Sequence, residues 1–339
     1  MTGFARLDSA PPLPPMEAKA VDVLPEGEGW QFEPKWDGFR CLIFRDGEEV
    51  ALQSKSGRPL GRYFPEMVDL VRALPESRLI LDGELIIRRD GALSFDALQM
   101  RLHPAESRIR KLAALTPAGL MLFDCLQLGA KSLRSAPLGD RRAALEAFHH
   151  EAGRAGLALS PATRDRPVAL AWLKGAGGDL DGVVAKRLDE PYRPGERAMR
   201  KVKPVRTADC VVGGFRYGTG ERLVGSLLLG LYDEAGRLDH VGFTSAIPAA
   251  QKPALTARLE RLIAPPGFTG DAPGGPSRWS SERSAAWEPL RPELVAEVAY
   301  DHVTGGRFRH GTRFLRWRPD KAPAQCTIDQ IRPHAALAG

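Results

Sequence analysis

At 339 residues the chain exceeds what one typical hydrophobic core encloses and suits two domains. Its 43% hydrophobic and 27% charged residues are those of a soluble globular protein, and a net charge of +6 favours a polyanionic partner without naming one. The four cysteines (Cys41, Cys125, Cys210, Cys326) form no CxxC pair and the seven histidines no HExxH cluster, which argues against a zinc ribbon or disulfide scaffold and predicts a reducing compartment.

The opening MTGFARLDSAPPLPPM lacks an apolar signal core, so residues 1–20 read as a proline-rich extended lead-in to a cytoplasmic protein. From there to Pro204, strand-like runs (CLIFRDG, EVALQS, RLILDGELIIRR, GLMLFDCLQL, DGVVAKR) mix with helical spacing over Phe64–Leu74 and Gly139–Gly156. The regular alternation of a doubly wound fold is missing, which predicts an α+β domain over 21–204 with antiparallel sheets and flanking helices. After Pro204 come ADCVVGGFRYG, GSLLLGLYDE, LDHVGFTSAI, ELVAEVAYDHV and RFLRWR, with a helix expected over Pro248–Ile263 and a surface loop over Pro265–Ser281. Five short strands and one inserted helix predict a small OB-type barrel over 207–339.

The strongest chemical signal is Glu33-Pro34-Lys35-Trp36-Asp37-Gly38-Phe39-Arg40. A lysine nucleophile needs its lone pair, and placing it after a strand near arginines favours the neutral amine through like-charge repulsion and partial burial. Gly38 would let backbone approach a phosphate or sugar, and Arg40 can donate to either. By itself such a KxDGxR turn is weak evidence. Downstream, however, follow Ser54-Lys55-Ser56-Gly57-Arg58, Leu81-Asp82-Gly83-Glu84-Leu85, Leu122-Phe123-Asp124, Asp181-Gly182-Val183-Val184-Ala185-Lys186, Lys201-Val202-Lys203 and Arg316-Trp317-Arg318-Pro319-Asp320-Lys321.

This ordered series resembles the motif set of the covalent nucleotidyltransferases, which comprise ATP-dependent DNA ligases, RNA ligases and mRNA capping enzymes. In length, in the EPKWDGFR start and in the WRPDK ending it is most similar to the short C-type bacterial ATP-dependent DNA ligases. The resemblance implies a nucleotidyltransferase (adenylation) domain followed by an OB-fold, with Lys35 attacking the α-phosphorus of ATP to form lysyl-AMP. It places Glu33 near the adenine amino group, Arg40 and Glu84 at the ribose hydroxyls, and Phe123 on the adenine ring. Asp181 stands where many relatives carry glutamate, so this shorter acid is expected to hold Mg²⁺ (or Mn²⁺) through water, with Glu84 a second metal candidate. Lys201 and Lys203, at alternate positions of one expected strand, would bracket the α-phosphate, joined by Lys186 and, with looser alignment, Arg197. Lys55 replaces a more usual arginine and loses its bidentate fork; Arg58 could take part of that role at the nick 5′-phosphate.

The terminal Arg316, Arg318, Asp320 and Lys321 would close over the β,γ-phosphates, with a hinge expected between Lys203 and Asp209. Between Lys186 and Arg206 lie eight basic residues against three acids, and between Arg307 and Lys321 six against one. Such clusters, including Arg206, Arg307 and Arg309, suit sequence-independent contacts to the phosphates of nicked duplex DNA. A monomeric, nucleoid-associated repair enzyme is expected, with a front DNA-binding domain missing and repair proteins as candidate partners. The absence of GxxxxGK[ST] excludes P-loop chemistry. The alternatives are an RNA ligase, a GTP-using capping enzyme, or a nonenzymatic barrel protein with a degenerate transferase domain.

Overall fold

Apolar runs bounded by turn residues become strands buried on both faces, and the longest of them build the central sheet of the first unit. The computed structural model describes residues 3–176, 180–220, 222–274 and 286–332, and the chain divides into two units, Met1–Pro204 and Val205–Gly339. In the first, β1 is Ala18–Ala20, β2 Trp30–Trp36, β3 Phe39–Asp46, β4 Glu49–Ser54, β5 Arg78–Ile86, β6 Gly119–Leu128, β7 Leu157–Leu159, β8 Leu180–Arg187 and β9 Met199–Val202. One sheet has the order β7-β6-β5-β3-β4, the other β1-β9-β8-β2; all neighbours are antiparallel except β7 with β6 and β1 with β9.

The two-residue repeat of a strand sorts the core. Cys41, Ile43, Leu79, Leu81, Leu120 and Leu122 point to one side of the larger sheet, under helices α1 (Pro65–Arg72), α2 (Phe95–Arg101) and α4 (Leu138–Ala152), with α3 (Glu106–Leu115) packed beside α1. Leu42, Phe44 and Ile80 point to the other, where Leu13, Met16, Tyr192 and Met199 cover them. The smaller sheet buries Phe32, Val183, Ala185 and Val202 beneath helix α5 (Arg166–Lys174) and Leu24.

The lead-in is therefore extended yet integral to this unit. Gln53 fixes Leu13 from both sides, its Oε1 accepting from the Leu13 amide at 2.8 Å and its Nε2 donating to the carbonyl at 2.7 Å. Arg6 pairs with Asp46, and Ala18–Ala20 becomes a strand.

The second unit carries β10 (Arg206–Tyr217), β11 (Val224–Tyr232), β12 (Leu238–Thr244), β13 (Val295–Tyr300) and β14 (Arg313–Trp317), in the order β12-β11-β10-β13-β14. The sheet curls until its edges meet: Thr244 bridges Thr312, and the Thr244 hydroxyl donates to the Thr312 carbonyl at 2.9 Å. This is the OB-type barrel, filled by Val211, Phe215, Leu227, Leu229, Val241, Phe268 and Val298, with helix α6 (Lys252–Glu260) inserted after β12. The loop expected over Pro265–Ser281 lies outside the described residues from position 275 onward. Arg206 and Thr207 already pair with Tyr300 and Ala299, so Arg206–Asp209 belongs to the barrel and the connector narrows to residues 203–205.

Candidate active site

A cleft of about 890 Å³ opens on the first unit between its two sheets. The smaller sheet offers Glu33, Lys35, Val184, Lys186 and Lys201; the larger offers Arg40, Glu84 and Phe123, and Met16, Glu17, Lys55 and Arg58 line the rim. Lys35 is the penultimate residue of β2 and does not follow the strand as expected. Alternation along β2 turns Gln31, Glu33 and Lys35 to one side, while Phe32 joins the core on the other.

Two side chains reach the site because the sheets are irregular. The β8–β2 register slips between Leu180 and Gly182, leaving Asp181 as the extra residue of a bulge. Its buried carboxylate turns to meet the Lys35 ammonium at 2.5 Å and Lys203 at 3.1 Å. Gly182 makes the bulge possible: φ is +138° and a Cβ there would stand 2.1 Å from the Val202 carbonyl. The β5–β6 register slips likewise between Asp82 and Gly83, and the unpaired residue opposite is Phe123.

Gly38 lines the cleft and also packs closely on protein. An added Cβ would lie 2.2 Å from the Leu85 carbonyl and 2.8 Å from the Glu84 side chain, so the glycine is needed to bring Lys35 and Glu84 into one site. Burial pushes the Glu84 carboxyl up to about 7, against the opposing pull of Lys35 and Arg40.

Arg40 is gripped by a buried acid. Its Nε and Nη2 donate to the two Asp82 oxygens at 2.5 Å each, and Tyr192 donates to the same carboxylate at 2.6 Å. The Tyr192 hydroxyl also accepts from the Met16 amide at 2.9 Å, and Arg40 donates to the Met16 carbonyl at 3.2 Å. Arg40 and Lys186 each lie 4.7 Å from the Phe123 ring centroid.

Lys186 donates to Glu33 at 2.8 Å, both side chains at most 4% exposed. Beside Lys35, burial lowers the Lys201 pKa first, and the charges of Lys35, Lys203 and Lys55 lower it further. The like-charge neighbours of Lys35 are thus lysines, not arginines. Lys203 lies one residue beyond β9, so of the pair expected on one strand only Lys201 is a strand residue and Lys203 lies just past its end. Lys55 pairs with Glu17 at 3.0 Å across the rim. Arg197 is exposed and is not among the residues lining the cleft.

In the barrel, the last motif is tied to acids. Arg318 donates to both Asp209 oxygens at 2.9 and 3.1 Å and pairs with Asp320 at 2.8 Å; Lys321 meets Asp209 at 2.7 Å, and Arg316 meets Glu297 at 2.6 Å. Arg307 hydrogen-bonds His240 and Arg309 donates to the Thr304 hydroxyl at 3.2 Å, while Arg206 sits at the start of β10.

Sequence reasoning missed Asp82 as the holder of Arg40, although an acid inside the apolar run LILDGELI asks for a buried partner. It also missed Tyr192, Gln31 and the lead-in's Met16 and Glu17, for which no local pattern exists.

The ATP dependent DNA ligase domain family matches residues 15–203, and the ATP dependent DNA ligase C terminal region family matches residues 220–321. DNA ligase C2 of Mycolicibacterium smegmatis is 46% identical, with 96% of each chain covered. DNA ligase C of Mycobacterium tuberculosis is 44% identical over 96% of this chain and 95% of that one. Among solved structures, mycobacterial DNA ligase D complexed with ATP and MES is similar at TM-score 0.50 and 28% identity, covering 93% of this chain and 98% of that one. A Lig E DNA ligase shares the fold at TM-score 0.55 and 16% identity, covering 89% of this chain and 99% of that one. No helix among the described residues is long and apolar enough to cross a membrane.

Proposed function

This chain belongs to the family of ATP-dependent DNA ligases, and on that premise we propose that Lys35 takes AMP from ATP and passes it to the 5′-phosphate at a nick in duplex DNA. The 3′-hydroxyl then displaces AMP and closes the backbone. The observation that supports this most is the placement of Lys35. Its ammonium faces the cleft against Asp181, with Lys201 and Lys203 beside it and Glu33, Lys186 and Phe123 farther along the same walls.

Each neighbour then has a task. Phe123 offers its ring to the adenine and Glu33 an acceptor to the base's amino group. Arg40, aimed by Asp82, and Glu84 meet the ribose. Lys201 and Lys203 carry fixed charge for the α-phosphate where negative charge grows as the bond to pyrophosphate breaks. Lys55, Arg58, Arg206, Arg307 and Arg309 contact DNA phosphates. Arg316, Arg318 and Lys321 exchange Asp209 and Glu297 for the departing pyrophosphate when the barrel engages the nucleotide.

The donor set fits a divalent cation. Asp181 sets a buried carboxylate beside the nucleophile, and among the described residues no cluster of three His, Cys, Asp or Glu side chains forms a protein-only cage. One carboxylate completed by substrate phosphates and water is how Mg²⁺ is commonly held, and Mn²⁺ fits the same oxygens. Bound there, the ion supplies Lewis-acid stabilisation of charge on the phosphate.

The enzyme serves DNA repair in this reading, and repair proteins are its candidate partners. The test is covalent labelling. Incubation with α-labelled ATP leaves covalent label, stable in alkali and released by acid, on the wild-type protein and none on Lys35→Ala; label retained on that variant would overturn the assignment.

A further inference from the structure

We propose that Gln31 is the positioning residue that sets the preference for a purine carrying a 6-amino group, by fixing Glu33 as an acceptor in the base site. Gln31, Glu33 and Lys35 share the inward side of β2, and the register places Gln31 opposite Lys186 and Glu33 opposite Val184 on β8. The Gln31 Nε2 donates to Glu33 Oε1 at 2.8 Å, and the Lys186 Nζ donates to Glu33 Oε2 at 2.8 Å. Gln31, Glu33 and Lys186 are 4%, 2% and 4% exposed, so the three form a clamp closed to bulk water.

Two donors on two different oxygens fix the plane of the carboxylate and leave it as an acceptor. Glu33 and Lys186 line the cleft with Phe123, so the remaining acceptor capacity faces the space beside the aromatic ring. A 6-amino group satisfies it; a 6-oxo group sets acceptor against acceptor. Gln31 is not among the residues lining the cleft, so it acts through Glu33 rather than on the nucleotide. Burying a primary amide costs free energy unless it is hydrogen-bonded, and the partner it has found is this carboxylate. Lys186 also donates to the Phe123 carbonyl at 3.3 Å, which ties the clamp to the stacking residue.

The inference rests on Glu33 facing the base, and the test separates the two claims. Single-turnover formation of the lysyl adduct is measured with ATP and with purine riboside 5′-triphosphate, which lacks the 6-amino group. The proteins are wild type, Gln31→Met (the same length without a donor), Gln31→Leu and Glu33→Ala. Gln31→Met should lower kcat/KM for ATP about tenfold, mainly through KM, and leave the analogue unchanged, so the preference for ATP shrinks by the same factor. Activity with the analogue doubles as the control for folding, and Gln31→Leu replaces Gln31→Met if the latter misfolds. Equal losses with both nucleotides would make Gln31 merely structural and overturn the proposal. Full ATP preference in the Gln31 variants, with preference abolished in Glu33→Ala, would overturn it while sparing Glu33. Full preference in Glu33→Ala would overturn the base-site reading and, with it, the role of Gln31.

Discussion

The cations of the cleft and those of the barrel's last motif are held at different depths. Around the cleft, Arg40 and Lys186 are locked to acids that are 0% and 3% exposed at the side chain, and each acid has a further donor. In the barrel, Arg316 is 63% exposed and its partner Glu297 18%, and Asp320 beside Arg318 is 60% exposed, although Asp209, which Arg318 and Lys321 share, is only 11% exposed. Breaking a buried pair leaves an uncompensated charge in a poor solvent, whereas breaking an exposed pair returns both groups to water. The cleft's pairs are therefore costly to break, whereas the exposed pairs of the barrel's motif break at little cost.

The sharpest break of this contrast is Asp82→Asn, which keeps the shape and removes the charge that faces Arg40. It should cost about 3 kcal/mol of stability, seen as faster amide exchange through β3 and β5 while exchange in the barrel strands stays unchanged. A loss below about 1 kcal/mol would place this pair with the surface bridges. A smaller effect comes from Glu84, whose half-buried carboxyl is pushed up to about 7 by desolvation. Because its folded pKa is raised, it adds stability in acid that is lost as pH climbs from the usual carboxylate range through 7. Its ionised form, the better acceptor for a ribose hydroxyl, fills only above that point. Adenylation should therefore fall up to about tenfold per unit below pH 7 on this group's account. Glu84→Gln should lose that inflection; an unchanged pH profile in the variant would remove Glu84 from the reaction.

The same contrast explains what could be read from sequence. GLMLFDCLQL coincides with β6 because continuous burial writes an apolar run bounded by turns, and EVALQS coincides with the edge strand β4, which is buried only at Leu52 and Gln53. The bulges at Phe123 and Asp181 were invisible, since a register slip belongs to two strands at once and leaves no local mark. Pro-rich composition made residues 1–20 look like a lead-in, yet Leu13 and Met16 are 7% and 4% exposed and Met16 ends at the cleft. Composition does not register two side chains finding a core that other segments supply. Helices α2, α3 and α5 were missed although the equally short α1 and α6 were expected, so length alone does not decide what periodicity shows. The cations of the closing motif were legible as charges, but their counter-ions, Asp209 on β10 and Glu297 on β13, are far away in sequence.

Asp209 offers the finest test. It accepts from Arg318 and Lys321 together and sits on the first barrel strand, four residues after Val205, where the second unit begins. If the motif must leave these acids to reach pyrophosphate, Asp209→Asn loosens the resting state more than the engaged one. Adenylation should then hold or rise by up to about threefold even as the melting midpoint falls by about 5 °C, because the Asp209 side chain is only 11% exposed and asparagine no longer offsets its two cations. Added salt, which screens exposed pairs, should loosen Arg316 from Glu297 and leave the clamp at Glu33 untouched. A tenfold fall in adenylation by Asp209→Asn would mean instead that Asp209 holds Arg318 and Lys321 in their working geometry, and the two regions would then be built alike.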